Sequence, residues 1–143
     1  MSERSVESAD QSTSRRVRVL LVDDDVDCRI IFGAMLRSAR FDVDVADNGL
    51  SGLARVRERA PDVALIDIAM PVLDGRNLLR LLKSDSSTRD IPTIAVTAAE
   101  SLHNCGELER VGFDAVLLKP VEPKIVVTAV RQILSSKENR SHG

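Results

Sequence analysis

Three aspartates stand in a row at Asp23, Asp24 and Asp25, directly after the apolar run VRVLLV, and a fourth carboxylate follows at Asp27. Adjacent carboxylates make one another harder to ionise, so a chain that crowds them has a use for a nearby cation. Another acid, Asp67, closes the run DVALID; a hydroxyl, Thr97, closes IPTIAVT; an ammonium, Lys119, follows DAVLL and precedes Pro120. Taken singly, each is explained by a strand end meeting water. Taken together they form a set with a chemistry. Carboxylate oxygens hold a hard divalent cation such as Mg2+, and an ammonium with a hydroxyl can hold the oxygens of a phosphoryl group.

Such residues must be brought together by the elements that carry them. Five short runs rich in β-branched residues, at 17–22, 41–46, 62–67, 91–97 and 114–118, read as strands. Each is followed by a stretch with helical spacing. In the first of these, Cys28, Ile31, Phe32, Met35 and Leu36 recur at i, i+3, i+4, i+7 and i+8 and predict one stripe facing the sheet. Apolar strands alternating with helices predict an α/β fold with a parallel sheet covered on both faces by right-handed crossovers. In an open doubly wound sheet the ligand site lies beyond the carboxyl ends of the strands, at the switch in strand order, and Asp23 to Asp25, Asp67, Thr97 and Lys119 each stand at the end of a strand.

The motifs LLVDDD, LIDIAMPVLDG, IAVTA and LLKP, in this order and separated by complete βα units, resemble the receiver domain of two-component response regulators. The resemblance spans about Val17 to Leu134. It implies a single doubly wound (βα)5 flavodoxin-like domain with strand order 2-1-3-4-5. It also implies that Asp67 is the phosphoacceptor, that Asp23 and Asp24 hold Mg2+ directly or through water, that the Ala69 main-chain carbonyl supplies a further ligand, and that Thr97 and Lys119 complete the site. Receivers similar to this one have a cis peptide at the position of Lys119-Pro120. Chemistry agrees: a carboxylate nucleophile approaches an anionic phosphoryl group only if cations offset the repulsion. The product, an acyl phosphate, is energetic enough for water to remove the phosphoryl group, so the domain would act as a timer and not as an enzyme on an external substrate.

One position departs from the pattern. Many receivers have Tyr or Phe three residues before the strand-five lysine, and here Val116 stands there. Asp25 and Asp74 are better read as helix caps or turn residues than as catalytic acids. Met70 and Pro71 shape a loop, and the isolated His103 and His142 have no metal-binding company.

Two other classes share part of this constellation. Metal-dependent phosphohydrolases and phosphomutases place an acid two residues after the nucleophile, where this chain has Ala69. A receiver-like module that is never phosphorylated would have no need to retain Asp67, Thr97 and Lys119. A Rossmann nucleotide site fails because VDDDVDC contains no glycine where G-x-G-x-x-G is required.

Composition sets the frame. A chain of 143 residues accommodates one domain, and 20 Lys plus Arg against 22 Asp plus Glu leaves no basic excess for gripping nucleic acid. Direct nucleic-acid binding is not expected. Cys28 and Cys105 have no metal-ligand spacing and read as thiols of a reducing compartment. No apolar stretch approaches the ~20 residues of a membrane span, so a cytoplasmic protein without membrane insertion is expected. Residues 1–16 and 135–143 are polar and read as a disordered and a flexible tail around a 17–134 domain. The implied partners are a sensor histidine kinase or histidine phosphotransfer protein and an unidentified downstream protein. If the first helix buries its predicted stripe, Arg29, Ile30, Gly33, Ala34 and Arg37 face solvent, and Ile30 offers a patch to a helix of the donor.

Overall fold

A computed structural model describes residues 15–104 and 106–142. Most of the expected N-terminal tail, and the expected free thiol of Cys105, lie outside the described residues. The elements run β1 (Arg18–Val22), α1 (Val26–Ser38), β2 (Asp42–Ala46), α2 (Gly49–Glu58), β3 (Val63–Ile66), α3 (Gly75–Lys83), β4 (Thr93–Ala98), a 3-10 turn (Ala99–Ser101), α4 (Glu107–Val111), β5 (Ala115–Lys119) and α5 (Pro123–His142). All five strands are parallel, in the expected order β2-β1-β3-β4-β5.

Strand alternation divides the core into two layers. Leu20, Val22, Ala64, Ile66 and Ala95 point to one face, where Val56 of α2, Leu78 and Leu82 of α3 and Leu108 of α4 cover them. Val19, Leu21, Val63, Leu65, Ile94 and Val96 point to the other, under Phe32 and Leu36 of α1 and Val126, Val130 and Ile133 of α5. Successive strand residues alternate between faces, and burial of both faces explains why the central strands β1, β3 and β4 are nearly continuous apolar runs, whereas the edge strand β2, with Asp42 and Asp44, alternates. No described helix is long and apolar enough to cross a membrane.

Three elements differ from the sequence reading. On α1, burial falls on Phe32, Gly33 and Leu36, with Cys28 and Arg29 half-buried, while Ile31 and Met35 are 50% and 38% exposed. In this orientation the half-buried Arg29 side chain donates to the main-chain carbonyl of Asp23 at 2.8 Å. After β4, a full helix is replaced by the 3-10 turn and the five-residue α4. Gly106 before it adopts a φ of 75°, which ends helical continuity, so His103 lies in irregular chain and not in a helix. Finally, α5 continues past Leu134 to His142, since no proline or glycine stops it before Gly143 and Lys137 donates to the carbonyl of Asp90.

Candidate functional site

The site begins with register. Val22 of β1 pairs with Ile66 of β3, so the next residues, Asp23 and Asp67, leave the sheet side by side at the switch point. The Asp67 N–H donates to the Val22 carbonyl at 2.9 Å and the Asp23 N–H to the Ala46 carbonyl at 3.0 Å, which fixes both backbones. On the far side Thr97 pairs with Leu118 and Ala98 with Lys119, bringing the hydroxyl and the ammonium to the same edge. The Lys119-Pro120 bond is cis.

Asp23, Asp67 and Thr97 are 1%, 6% and 0% exposed, whereas Asp24 is open to solvent. One carboxylate oxygen from each of Asp23, Asp24 and Asp67 can be chosen so that all three lie within 4.8 Å of one another. Three oxygens converging from a buried edge are a donor set that fits a hard divalent cation, and Mg2+ meets that description. Lys119 Nζ lies 3.0 Å from Asp23 Oδ2 and 3.6 Å from Asp67 Oδ2. The second Asp23 oxygen accepts the N–H of Asp25 at 2.9 Å, and Asp67 Oδ1 accepts the N–H of Ala69 at 3.3 Å. Thr97 Oγ1 is buried without a hydrogen-bond partner, a costly state for a hydroxyl at a place where an anionic oxygen could satisfy it.

Electrostatics follow from this packing. Burial, and then the neighbouring Asp23, raise the Asp67 carboxyl to about 7, against the opposing pull of Lys119. For Lys119 burial acts downward, but the hydrogen bond to Asp23 and the charges of Asp23 and Asp67 outweigh it and raise its pKa. Burial, reinforced by Asp23, also raises the thiol of Cys28, so it is no activated thiolate.

The remaining sequence assignments fall into place around the edge. Asp25 caps α1, accepting from the N–H groups of Asp27 and Cys28, and Asp74 caps α3 by accepting from Asn77 at 2.9 Å. Met70 is buried in the core and Val72 in the same loop holds a φ of 72°, rare for a β-branched residue. Gly75 is needed for close approach: a Cβ there would lie 2.4 Å from the carbonyl oxygen of Asp67. The sequence reading placed Arg29 in solvent and gave Arg76 and Glu107 no role. Arg29, one helical turn after Asp25, could have been placed on the loop side of the helix. No spacing joins Arg76 to Glu107, which the fold brings into a nearly buried ion pair.

The chain is similar in sequence and fold to known proteins. The family model described as "Response regulator receiver domain" matches residues 19–131. Protein PilH of Pseudomonas aeruginosa is 35% identical over 118 residues, covering 82% of this chain and 98% of PilH. The DNA-binding response regulator MtrA of Mycolicibacterium paratuberculosis is 32% identical over 124 residues, covering 87% of this chain and 54% of MtrA. The chain thus spans about half the length of the MtrA relatives it matches. Among solved structures, the receiver domain of a Pseudomonas aeruginosa sensor histidine kinase, with a magnesium ion coordinated in its active-site cleft, superimposes with a TM-score of 0.77 at 25% identity, covering 84% of this chain and 98% of that one.

Proposed function

The chain belongs to the response regulator receiver domain family, and on that premise we propose that it takes a phosphoryl group onto Asp67 from a phosphohistidine of a sensor kinase or histidine phosphotransfer protein. The observation that carries this reading is the convergence of three carboxylate oxygens, the Lys119 ammonium and an unpartnered Thr97 hydroxyl at one sheet edge. In the transfer a carboxylate oxygen of Asp67 attacks phosphorus, the P–N bond breaks, and the imidazole leaves with that electron pair.

Asp23, Asp24 and Asp67, with the main-chain carbonyl of Ala69, would hold Mg2+. When bound, the ion supplies positive charge against the repulsion between the nucleophile and the phosphoryl oxygens. Lys119 neutralises a second phosphoryl oxygen, and the Thr97 hydroxyl donates to a third, which gives that buried group the partner it lacks. The same pocket admits water to the acyl phosphate, so the phosphoryl group is lost again without a second protein. Output runs through protein contacts.

The donor docks on α1. Val26, Ile30, Ile31 and Met35 are all exposed there, Ile30 by 62%, and they lead from the mouth of the acidic edge along the helix. An apolar helix face beside a phosphoacceptor suits the helix that presents a phosphohistidine. Acetyl phosphate tests the chemistry without a partner: one phosphoryl mass increment that requires Mg2+ is expected, and labelling unaffected by chelation would refute the metal-assisted reading.

A further inference from the structure

Among the described residues, the segment from Ala99 to Gly106 that follows β4 is weakly structured, and one side chain from α3 supplies its polar attachment to the rest of the fold. From Ala99 to Gly106 the described backbone hydrogen bonds stay within the segment or pass to α4, and none reaches another element. Leu102 and Leu108 give it apolar contact with the core. Its polar attachment is Arg76. The guanidinium donates through Nη2 to the main-chain carbonyl of Ser101 at 2.8 Å, through Nε to Glu107 Oε2 at 3.1 Å, and through Nη2 to Glu107 Oε1. Glu107 Oε1 in turn accepts the N–H of His103 at 3.1 Å. Both side chains are close to buried, 14% and 10% exposed, so this pair escapes the screening that makes surface pairs weak.

The backbone next to Arg76 is fixed beside the phosphoacceptor. The neighbouring Gly75 donates to the Ile68 carbonyl at 2.9 Å and packs so closely on the Asp67 carbonyl that no side chain fits there. Asp74 caps the helix that starts at this point. Through the Gly75 backbone on one side and the Arg76 guanidinium on the other, the start of α3 therefore links the backbone just after Asp67 to the segment just after Thr97.

We propose that Arg76, held by Glu107, is a positioning residue that passes the state of Asp67 to residues 101–107. This rests on the phosphoacceptor reading above. When Thr97 moves to donate to a phosphoryl oxygen, the chain after it must shift; with the bridge intact that shift is felt as an ordered displacement of Ser101 to Glu107. With the bridge cut, Thr97 still reaches the phosphoryl group, but the segment is loose in both states and no longer reports it. A partner that reads this segment would then lose its signal while phosphorylation continued.

Amide hydrogen exchange on the full chain, with and without Mg2+ and beryllofluoride as a phosphoryl mimic, tests the proposal. In the wild type, beryllofluoride should change exchange across 98–107. In Arg76→Gln and Glu107→Gln, resting exchange at 101–107 should rise by about tenfold, as for loss of a buried charge-assisted bond in a locally opening segment. That segment should no longer respond to beryllofluoride, while the response next to Thr97 and beryllofluoride affinity are kept. Arg76→Lys, which retains charge but not the fork of bonds, should fall between and reads the coupling if a Gln variant unfolds. Variants that keep the full response at 101–107, or keep resting protection there, would overturn the proposal and leave the phosphoacceptor reading standing. A wild type that takes no beryllofluoride would sink both.

Discussion

Lys119 is bonded to Asp23 across the sheet edge, Nζ to Oδ2 at 3.0 Å, and lies farther, at 3.6 Å, from Asp67, the residue it is to serve. Before phosphorylation the ammonium thus neutralises a carboxylate that also belongs to the cation-binding set. It stabilises the crowded acids and competes for them.

A consequence is that Lys119→Met should separate metal binding from phosphorylation. Removing one close positive charge should tighten Mg2+ by roughly tenfold, or about 1.4 kcal/mol, while acetyl phosphate labelling slows sharply. Calorimetric titration with Mg2+ checks the first arm; unchanged or weaker binding would show that Lys119 does not compete at Asp23.

The raised Asp67 carboxyl gives a pH dependence with a definite sign. Its folded value of about 7 exceeds the ordinary 3.8, so between these limits the folded protein holds a proton that the unfolded chain has released. The group's contribution is fully present below 3.8 and is lost as pH rises through 7. In chelator, Asp67→Asn should therefore be more stable than wild type at pH 8, by about 1–2 kcal/mol after discounting for solvent at the cleft mouth, and equal to it near pH 3.5. Mg2+ affinity of the wild type should climb from pH 6 to 8 as the proton is displaced. Urea unfolding at the two pH values decides; a stability difference that persists at pH 3.5 would assign it to something other than this titration.

How much of this was legible in the residues depends on whether a signal is local. Asp25 and Asp74 could be read as caps because capping acts over three residues, and Asp67, Thr97 and Lys119 because an apolar run ends at each. Five parallel strands followed from the same runs. The rotation of α1 was not legible: Cys28, Ile30, Ile31, Phe32, Met35 and Leu36 offer more apolar surface than the helix buries, and the Arg29 bond to the Asp23 carbonyl that accompanies the observed orientation leaves no local signal in the sequence. The short α4 was missed because a lone glycine, Gly106, is tolerated within a helical pattern and its positive φ is not visible in the sequence, and the Arg76–Glu107 pair because it joins residues far apart in sequence.

The turned helix sharpens the docking prediction. Ile30 is exposed as expected, and Ile31 and Met35 join it outside the core. Ile30→Glu should slow phosphotransfer from a cognate histidine donor by about tenfold or more, the cost of truncating one anchor in an interface, with acetyl phosphate labelling intact. Equal loss of both activities would indicate a misfolded variant and remove the support for an α1 surface.

Val116 makes a different prediction about switching. It is half-buried against the core and has one restricted torsion, with no ring to exchange between surface and interior. Beryllofluoride should change amide exchange around Thr97 and the following segment while leaving 115–118 and α5 nearly unaltered, so that a partner completes the population shift. Changes over Val116 and α5 as large as those at Thr97 would contradict this.

The central claim is that Asp67 receives the phosphoryl group with Mg2+ at the acidic edge. Intact-mass measurement after incubation with acetyl phosphate and Mg2+, on wild type and Asp67→Asn in parallel, tests it most directly. The account predicts one phosphoryl increment on the wild type, none without Mg2+, and none on Asp67→Asn; an undiminished increment on Asp67→Asn would contradict it by placing the acceptor elsewhere.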